Sequence, residues 1–252
     1  MSIFKLGKLI MEENIDELRN MLNIHLLANF IMPITIQGSK FDLKYPTPLQ
    51  LAAYYGKNKS VKFLLEEKAN VNEKSRSYPP LHLSCLINDV ESMRMLIDAG
   101  SNIDSSMFQC ETPLQISVLT RSFDCVWELL KLGADVNRTN LDIIPVPLQL
   151  AIDLGFHEIV ALLLQYNASQ DGITLARCQK SDKIEKILEG EYKSDKYDPE
   201  KLKSKYGSGI NLDAPEYQFP DIPEVNIEER YSSEEFKKEL REKIKNGPPK
   251  GF

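Results

Sequence analysis

A chain of 252 residues, 42% hydrophobic and 27% charged, has an ordinary globular composition and enough length to bury a sizeable core. Its net charge of −6, with no dense Lys/Arg cluster, excludes a surface built to neutralise phosphates, so no nucleic-acid partner is expected. Residues 1–11 run into Glu12 and Glu13 rather than a leader's apolar core, and the most apolar run, 26–36, holds Asn29 and Pro33 and is too short to span a bilayer. A soluble, intracellular, cytoplasmic protein with no membrane insertion is the expectation.

Residues 4–22 predict a helix pair whose apolar pattern is diluted by Glu12, Glu13, Asp16, Glu17 and Arg19, as an end facing water requires. Residues 23–44 are unusually apolar (Leu26, Leu27, Phe30, Ile31, Met32, Ile34, Ile36). Two readings stand: an insertion folded over the next helices, or a loop protruding to meet a partner.

From residue 46 the chain repeats itself. Thr47-Pro48-Leu49-Gln50-Leu51-Ala52, Pro79-Pro80-Leu81-His82-Leu83-Ser84, Thr112-Pro113-Leu114-Gln115-Ile116-Ser117 and Val146-Pro147-Leu148-Gln149-Leu150-Ala151 align, with prolines 32, 33 and 34 residues apart. Each start is followed by a second apolar stretch, such as Val61-Lys62-Phe63-Leu64-Leu65 or Val126-Trp127-Glu128-Leu129-Leu130. A small or polar tetrad then follows, such as Ala69-Asn70-Val71-Asn72 or Ala134-Asp135-Val136-Asn137. The threonine hydroxyl suits a helix N-cap, and proline suits the first turn, where its missing N–H costs nothing. Ala52, Ala53 and Ser84 permit close helix approach, and Gly100 and Gly133 accept a left-handed C-terminal turn. One such helix pair cannot cover its own apolar stripe, so neighbours must stack.

Register, period and both helices together resemble the ankyrin repeat, whose hallmark is a TPLHxA-type helix start recurring about every 33 residues. The resemblance covers residues 1–190 and implies an all-α solenoid of stacked helix pairs with β-hairpin-like fingers. Residues 1–45 are then the N-terminal capping pair and apolar insertion. Residues 46–172 are four repeats (46–78, 79–111, 112–145, 146–172), and 173–190 are a C-terminal capping pair. The family's histidine survives only as His82; Gln50, Gln115 and Gln149 replace it with groups that also donate and accept. Pro79 and Val146 remove the capping hydroxyl from two helix starts, at about 1 kcal/mol each.

Nothing in the chain carries catalysis: there is no GxSxG elbow, phosphate loop or HExxH, and acidic residues fall at expected solvent positions. Cys85, Cys110, Cys125 and Cys178 lie far apart with no CxxC pair and read as small buried thiols, so neither metal nor cofactor is expected. The resemblance implies instead a concave surface of finger tips and inner helices. In this register it includes Tyr54, Tyr55, Tyr78, Leu86, Phe108, Glu111, Leu119 and Asp153, with Ile87, Thr120 and Leu154 beside them. Trp127 is placed on the outer side, as a second contact or as cover for its neighbours.

Residues 191–252 change character, with twelve Lys/Arg, fourteen Asp/Glu and eight aromatics. Aromatics at that density predict an extended arm that orders against a partner or along the solenoid, Tyr217 and Phe219 being its most adhesive part. Ser232 and Glu235 form a capping box ahead of Phe236, Leu240 and Ile244, so a short helix is expected over 233–246. No recognisable ubiquitin-ligase adaptor box is present. Two function classes follow: a non-enzymatic scaffold or adaptor binding a protein on its concave face with the tail as second attachment, or a constitutive subunit of a large assembly with the tail threading over neighbours.

Overall fold

The computed structural model of the chain describes residues 3–21, 27–36, 43–73, 78–106, 112–138, 145–173 and 181–206. Helices α1 (Ile3–Met11) and α2 (Ile15–Arg19) open the chain, and a short antiparallel ladder pairs β1 (Thr35–Ile36) with β2 (Leu43–Lys44). Helix pairs follow in one pattern, a seven-residue helix and then a nine-residue one: α3 (Pro48–Tyr54) with α4 (Asn58–Glu66) and α5 (Pro80–Leu86) with α6 (Val90–Asp98). The pattern continues with α7 (Pro113–Leu119) and α8 (Phe123–Lys131), then α9 (Pro147–Asp153) and α10 (His157–Gln165). Helix α11 (Asp182–Leu188), 3-10 turns at Glu191–Lys193 and Asp195–Tyr197, and α12 (Pro199–Tyr206) complete the described chain.

The starts of the short helices divide by cap chemistry. Thr47 Oγ1 accepts from the Gln50 N–H (3.2 Å) while Gln50 Oε1 accepts from the Thr47 N–H (2.8 Å). Thr112 and Gln115 repeat this box at the start of α7. The starts at Pro79 and Val146 have no side-chain cap, as loss of the hydroxyl requires. Among the described residues, the turns within and after each of the four helix pairs each use one left-handed residue. Gly56, Asn88, Arg121 and Gly155 (φ +61°, +60°, +57° and +71°) turn short helices into long ones. Lys68, Gly100, Gly133 and Asn167 (φ +63°, +95°, +89° and +62°) turn the chain back out.

Helices α3, α5, α7 and α9 pack side by side as an inner row, and α4, α6, α8 and α10 as an outer row. Helices α1 and α2 extend both rows at the N-terminal end. Between the rows runs one core: Leu49, Leu51, Leu81, Leu83, Leu114, Ile116 and Leu148 are buried, as are Val61, Leu64, Met93, Leu96, Val126, Leu129, Val160 and Leu163. Ala52, Ala53, Ser84, Ser117 and Ala151 are fully buried where inner helices meet. This is the all-α solenoid the period requires.

Polar side chains stitch each repeat to the next. Gln50 Nε2 donates to the Tyr78 carbonyl (2.9 Å) and Gln115 Nε2 to that of Pro145 (3.0 Å), so the helix-start amide also holds the chain entering the following helix. The tetrads form a ladder: Asn29, Asn72, Asp104 and Asn137 accept from the backbone N–H of Asn70, Asn102, Asp135 and Ser169 respectively.

The apolar insertion lies against the first repeat where it is described. Ala28, Met32, Ile36 and Leu43 are buried in the common core, and Asn29 Nδ2 donates to the Lys68 carbonyl. Of the expected fingers at 75–78, 108–111 and 141–144, all but Tyr78 lie outside the described residues, as do 174–180 of the expected C-terminal pair and the 233–246 helix. Residues 191–206 lie along the solenoid, one of the two placements expected of the arm, but are helical rather than extended, with Tyr197 and Leu202 finding apolar cover on the outer row.

Candidate protein-binding face

The C-terminal ends of the inner helices place pairs of side chains in register: Tyr54 and Tyr55, Leu86 and Ile87, Leu119 and Thr120, Asp153 and Leu154. Their exposure separates contact candidates from core. Tyr55, Ile87 and Leu119 are half-buried and Leu154 is 43% exposed, a row of apolar rungs, one per repeat. Tyr54 is buried with its ring edge-on to Tyr55 at 5.0 Å, and Leu86 is 1% exposed. The expectation that Tyr54 and Leu86 offer contact surface is therefore corrected. The inner row turns the first member of each early pair inward against the next helix, and only Leu119 and Asp153 of that series reach the surface. Thr120 is also buried, donating to the Ile116 carbonyl (2.9 Å).

Asp153 is half-buried and its Oδ1 accepts from Gln149 Nε2 at 2.7 Å. Gln149, half-buried itself, thus braces the one acidic rung of the inner row. Tyr78 is half-buried, its ring 6.3 Å from that of His82. His82 is fully buried inside the repeat stack, which suits a structural imidazole. Phe108 and Glu111, and Tyr217, Phe219, Phe236, Leu240 and Ile244 of the tail, lie outside the described residues. Exposed Tyr45, beside the first helix start, was not singled out by the repeat register because it falls before the motif begins.

Trp127 lies on the outer row as expected, but is 8% exposed and does not present a free contact. Helix α12 packs on α8, and the Nζ atoms of Lys131 and Lys203 stand 4.9 and 5.8 Å from the Trp127 ring centroid.

The outer row also overturns part of the charge reading. Glu128 and Glu158 are buried rather than at solvent positions. Arg94 reaches Glu128 at 2.7 Å from the preceding repeat, with Lys131 at 3.4 Å, while Arg121 and His157 flank Glu158 at 3.7 and 2.8 Å. The sequence signal was an Arg about one repeat ahead of each Glu. Such half-buried pairs hold register more than they add stability.

Cys85 and Cys125 are buried and adjacent, and burial followed by the neighbouring thiol pushes the Cys125 thiol well up. That opposes reactivity. Burial also raises Asp124, against the hydrogen bond from Asn88 and the charge of Lys203. Among the described residues no group of three or more His, Cys, Asp or Glu is placed to hold a metal, and no helix is long and apolar enough to cross a membrane.

Known proteins share this arrangement. The family model described as ankyrin repeats (3 copies) matches residues 23–107 and 49–140. Glycerophosphocholine phosphodiesterase gde1 of Schizosaccharomyces pombe is 33% identical over 135 residues, 52% of this chain and 12% of that protein. Ankyrin repeat and SOCS box protein 5 of Oryctolagus cuniculus is 32% identical over 89 residues, 35% of this chain and 26% of that one. The matched stretches thus span about a quarter or less of these relatives' own lengths. The crystal structure of the human ASB11 ankyrin repeat domain superposes with a TM-score of 0.51 at 29% identity, covering 57% of this chain and 67% of that one. With the helix pairs, the two-row stacking and these likenesses in agreement, the chain is an ankyrin-repeat protein.

Proposed function

We propose that the inner face of the solenoid binds a protein ligand, and that the chain works as a non-catalytic scaffold or adaptor with its tail as a second attachment. Ankyrin repeats are protein–protein interaction modules, and the observation that carries this reading is the apolar row of Tyr55, Ile87, Leu119 and Leu154. The core does not require Leu154 to be 43% exposed. A row of partly exposed apolar side chains at fixed intervals suits a rigid complementary surface, where a few anchors supply most of the affinity.

Photo-crosslinking tests the assignment. A photoreactive residue at Leu119 or Leu154 should form discrete protein adducts in cells, while one at exposed Lys62 on the outer row should not. Adducts at Lys62 alone refute the inner-face reading. Native sizing of the adducted species separates an exchanging adaptor from a permanent subunit of a large particle.

A further inference from the structure

The segment that follows the last helix pair is held in a way that the solenoid itself does not require. Gly190 turns the chain at φ +125°, a conformation essentially confined to glycine, and its surroundings are open. Residues 191–206 then run back over the outer row, the 3-10 turns against α10 and α12 against α8. Few groups hold them. One side-chain amide, Gln165 Nε2, donates to two strap carbonyls, those of Tyr192 (2.8 Å) and Tyr197 (3.0 Å). Among the described side chains of the strap, Tyr197 and Leu202 are buried and Tyr192 is half-buried against the core. Lys203 adds its charge beside the Trp127 ring.

These holdings are thin against what the seated strap leaves unsatisfied. Helix α12 is eight residues long, too short to persist alone in water. Asp124, beside Lys203, accepts from Asn88 through Oδ2 at 3.2 Å, but its Oδ1 is buried with no hydrogen-bond partner. A buried acceptor without a donor opposes the closed arrangement, and water relieves it on opening. A glycine pivot, a short helix, two buried apolar side chains and an orphaned carboxylate oxygen together describe an element that opens below the cost of global unfolding.

We infer that residues 191–206 are a releasable strap whose seat on the outer face of the third and fourth repeats, formed by Trp127 and Gln165, is a second protein-binding surface held shut by the chain itself. The strap defines what that surface accepts: a segment that offers two backbone carbonyls to the Gln165 amide, an aromatic and an aliphatic side chain to the outer row, and a cation to Trp127 and Asp124. Seated, the strap also fixes the outer row as the place where the chain leaves the solenoid, so a ligand on the inner face and the strap do not compete.

Trp127 is the chain's single tryptophan, which makes the test direct. In the full-length protein, hydrogen exchange should show amides of the strap (Ser194, Tyr197, Lys201, Leu202) exchanging at least about tenfold faster than core amides of α8 and α10. Full-length Leu202→Asp should then keep its helical circular dichroism while Trp127 emission shifts to the red and acrylamide quenching rises. A synthetic peptide of residues 191–206 added to that variant should restore the shielding. Gln165→Ala, which leaves the apolar contacts in place, is the second variant and should shift Trp127 in the same direction. Strap amides as slow as those of α8 and α10 overturn the proposal. So does unchanged Trp127 in both variants, a peptide that fails to restore it, or loss of the solenoid's helicity in both, which makes the strap an integral cap.

Discussion

Gln115 offers the sharpest measurement of how one side chain holds two repeats. It is fully buried; its Oε1 accepts from the Thr112 N–H at 2.8 Å and its Nε2 donates to the Pro145 carbonyl at 3.0 Å. Gln115→Leu keeps nearly the same volume, so the cavity contribution is small and the loss is one of hydrogen bonds. The Thr112 N–H, at a residue only 1% exposed, loses its acceptor and carries an unsatisfied-donor cost of about 1–3 kcal/mol. Pro145 is half-buried, so water replaces part of the second bond and the loss there is about 0.5–1 kcal/mol. Together the substitution should destabilise the solenoid by about 1.5–4 kcal/mol. Urea unfolding followed by circular dichroism and by Trp127, on the outer helix of the same repeat, measures it. A loss under about 0.5 kcal/mol would refute the bridging role and mean that the amide is held by water as well as by protein.

Other outcomes follow from single features. Asp104→Ala should cost about 0.5–1 kcal/mol by removing the acceptor for the Asp135 N–H, whereas Asp104→Asn should be close to neutral; amide exchange at Asp135 separates them. Lys68→Gly should stabilise by about 0.5 kcal/mol in thermal unfolding, since the left-handed strain it removes (φ +63°) exceeds glycine's added chain entropy. Asp124 is raised by burial, so the folded state binds its proton more tightly and stability falls as pH rises from the ordinary carboxylate range through the raised value. Asp124→Asn should therefore be the more stable protein at neutral pH, and the difference should close in acid. Cys85 and Cys125 should resist alkylation until the protein unfolds; labelling at the rate of an exposed thiol would refute their burial.

The sequence made the period legible because three features recur in one register: the proline-led helix start, the apolar second helix and the small or polar tetrad. It also exposed cap losses at Pro79 and Val146, since a hydroxyl is either present or absent. The inner-face residues were legible only as positions. Whether Leu86 or Leu119 faces outward depends on how far each inner helix is covered by its neighbour, and a periodic pattern is blind to that small rotation. The arm's ordering along the solenoid was legible from its aromatics, but its helical form escaped because Tyr192, Tyr197 and Leu202 stand irregularly among many charges, below what periodicity detects. Buried Glu128 and Glu158 were masked by the same rule that places charges in water; only the Arg one repeat earlier betrays them.

The direction of the tetrad ladder bears on how the chain matures during synthesis. Asn29, Asn72, Asp104 and Asn137 each wait for an N–H that lies 41, 30, 31 and 32 residues downstream. Gln50 likewise waits for a carbonyl 28 residues on. As the polypeptide is made from its N-terminus, each copy is finished only once its successor has been translated, so assembly advances as a front trailing the nascent end by about one repeat. A pause in elongation would leave one unfinished edge, and the strap, made after the last of the helix pairs, would close over helices already in place.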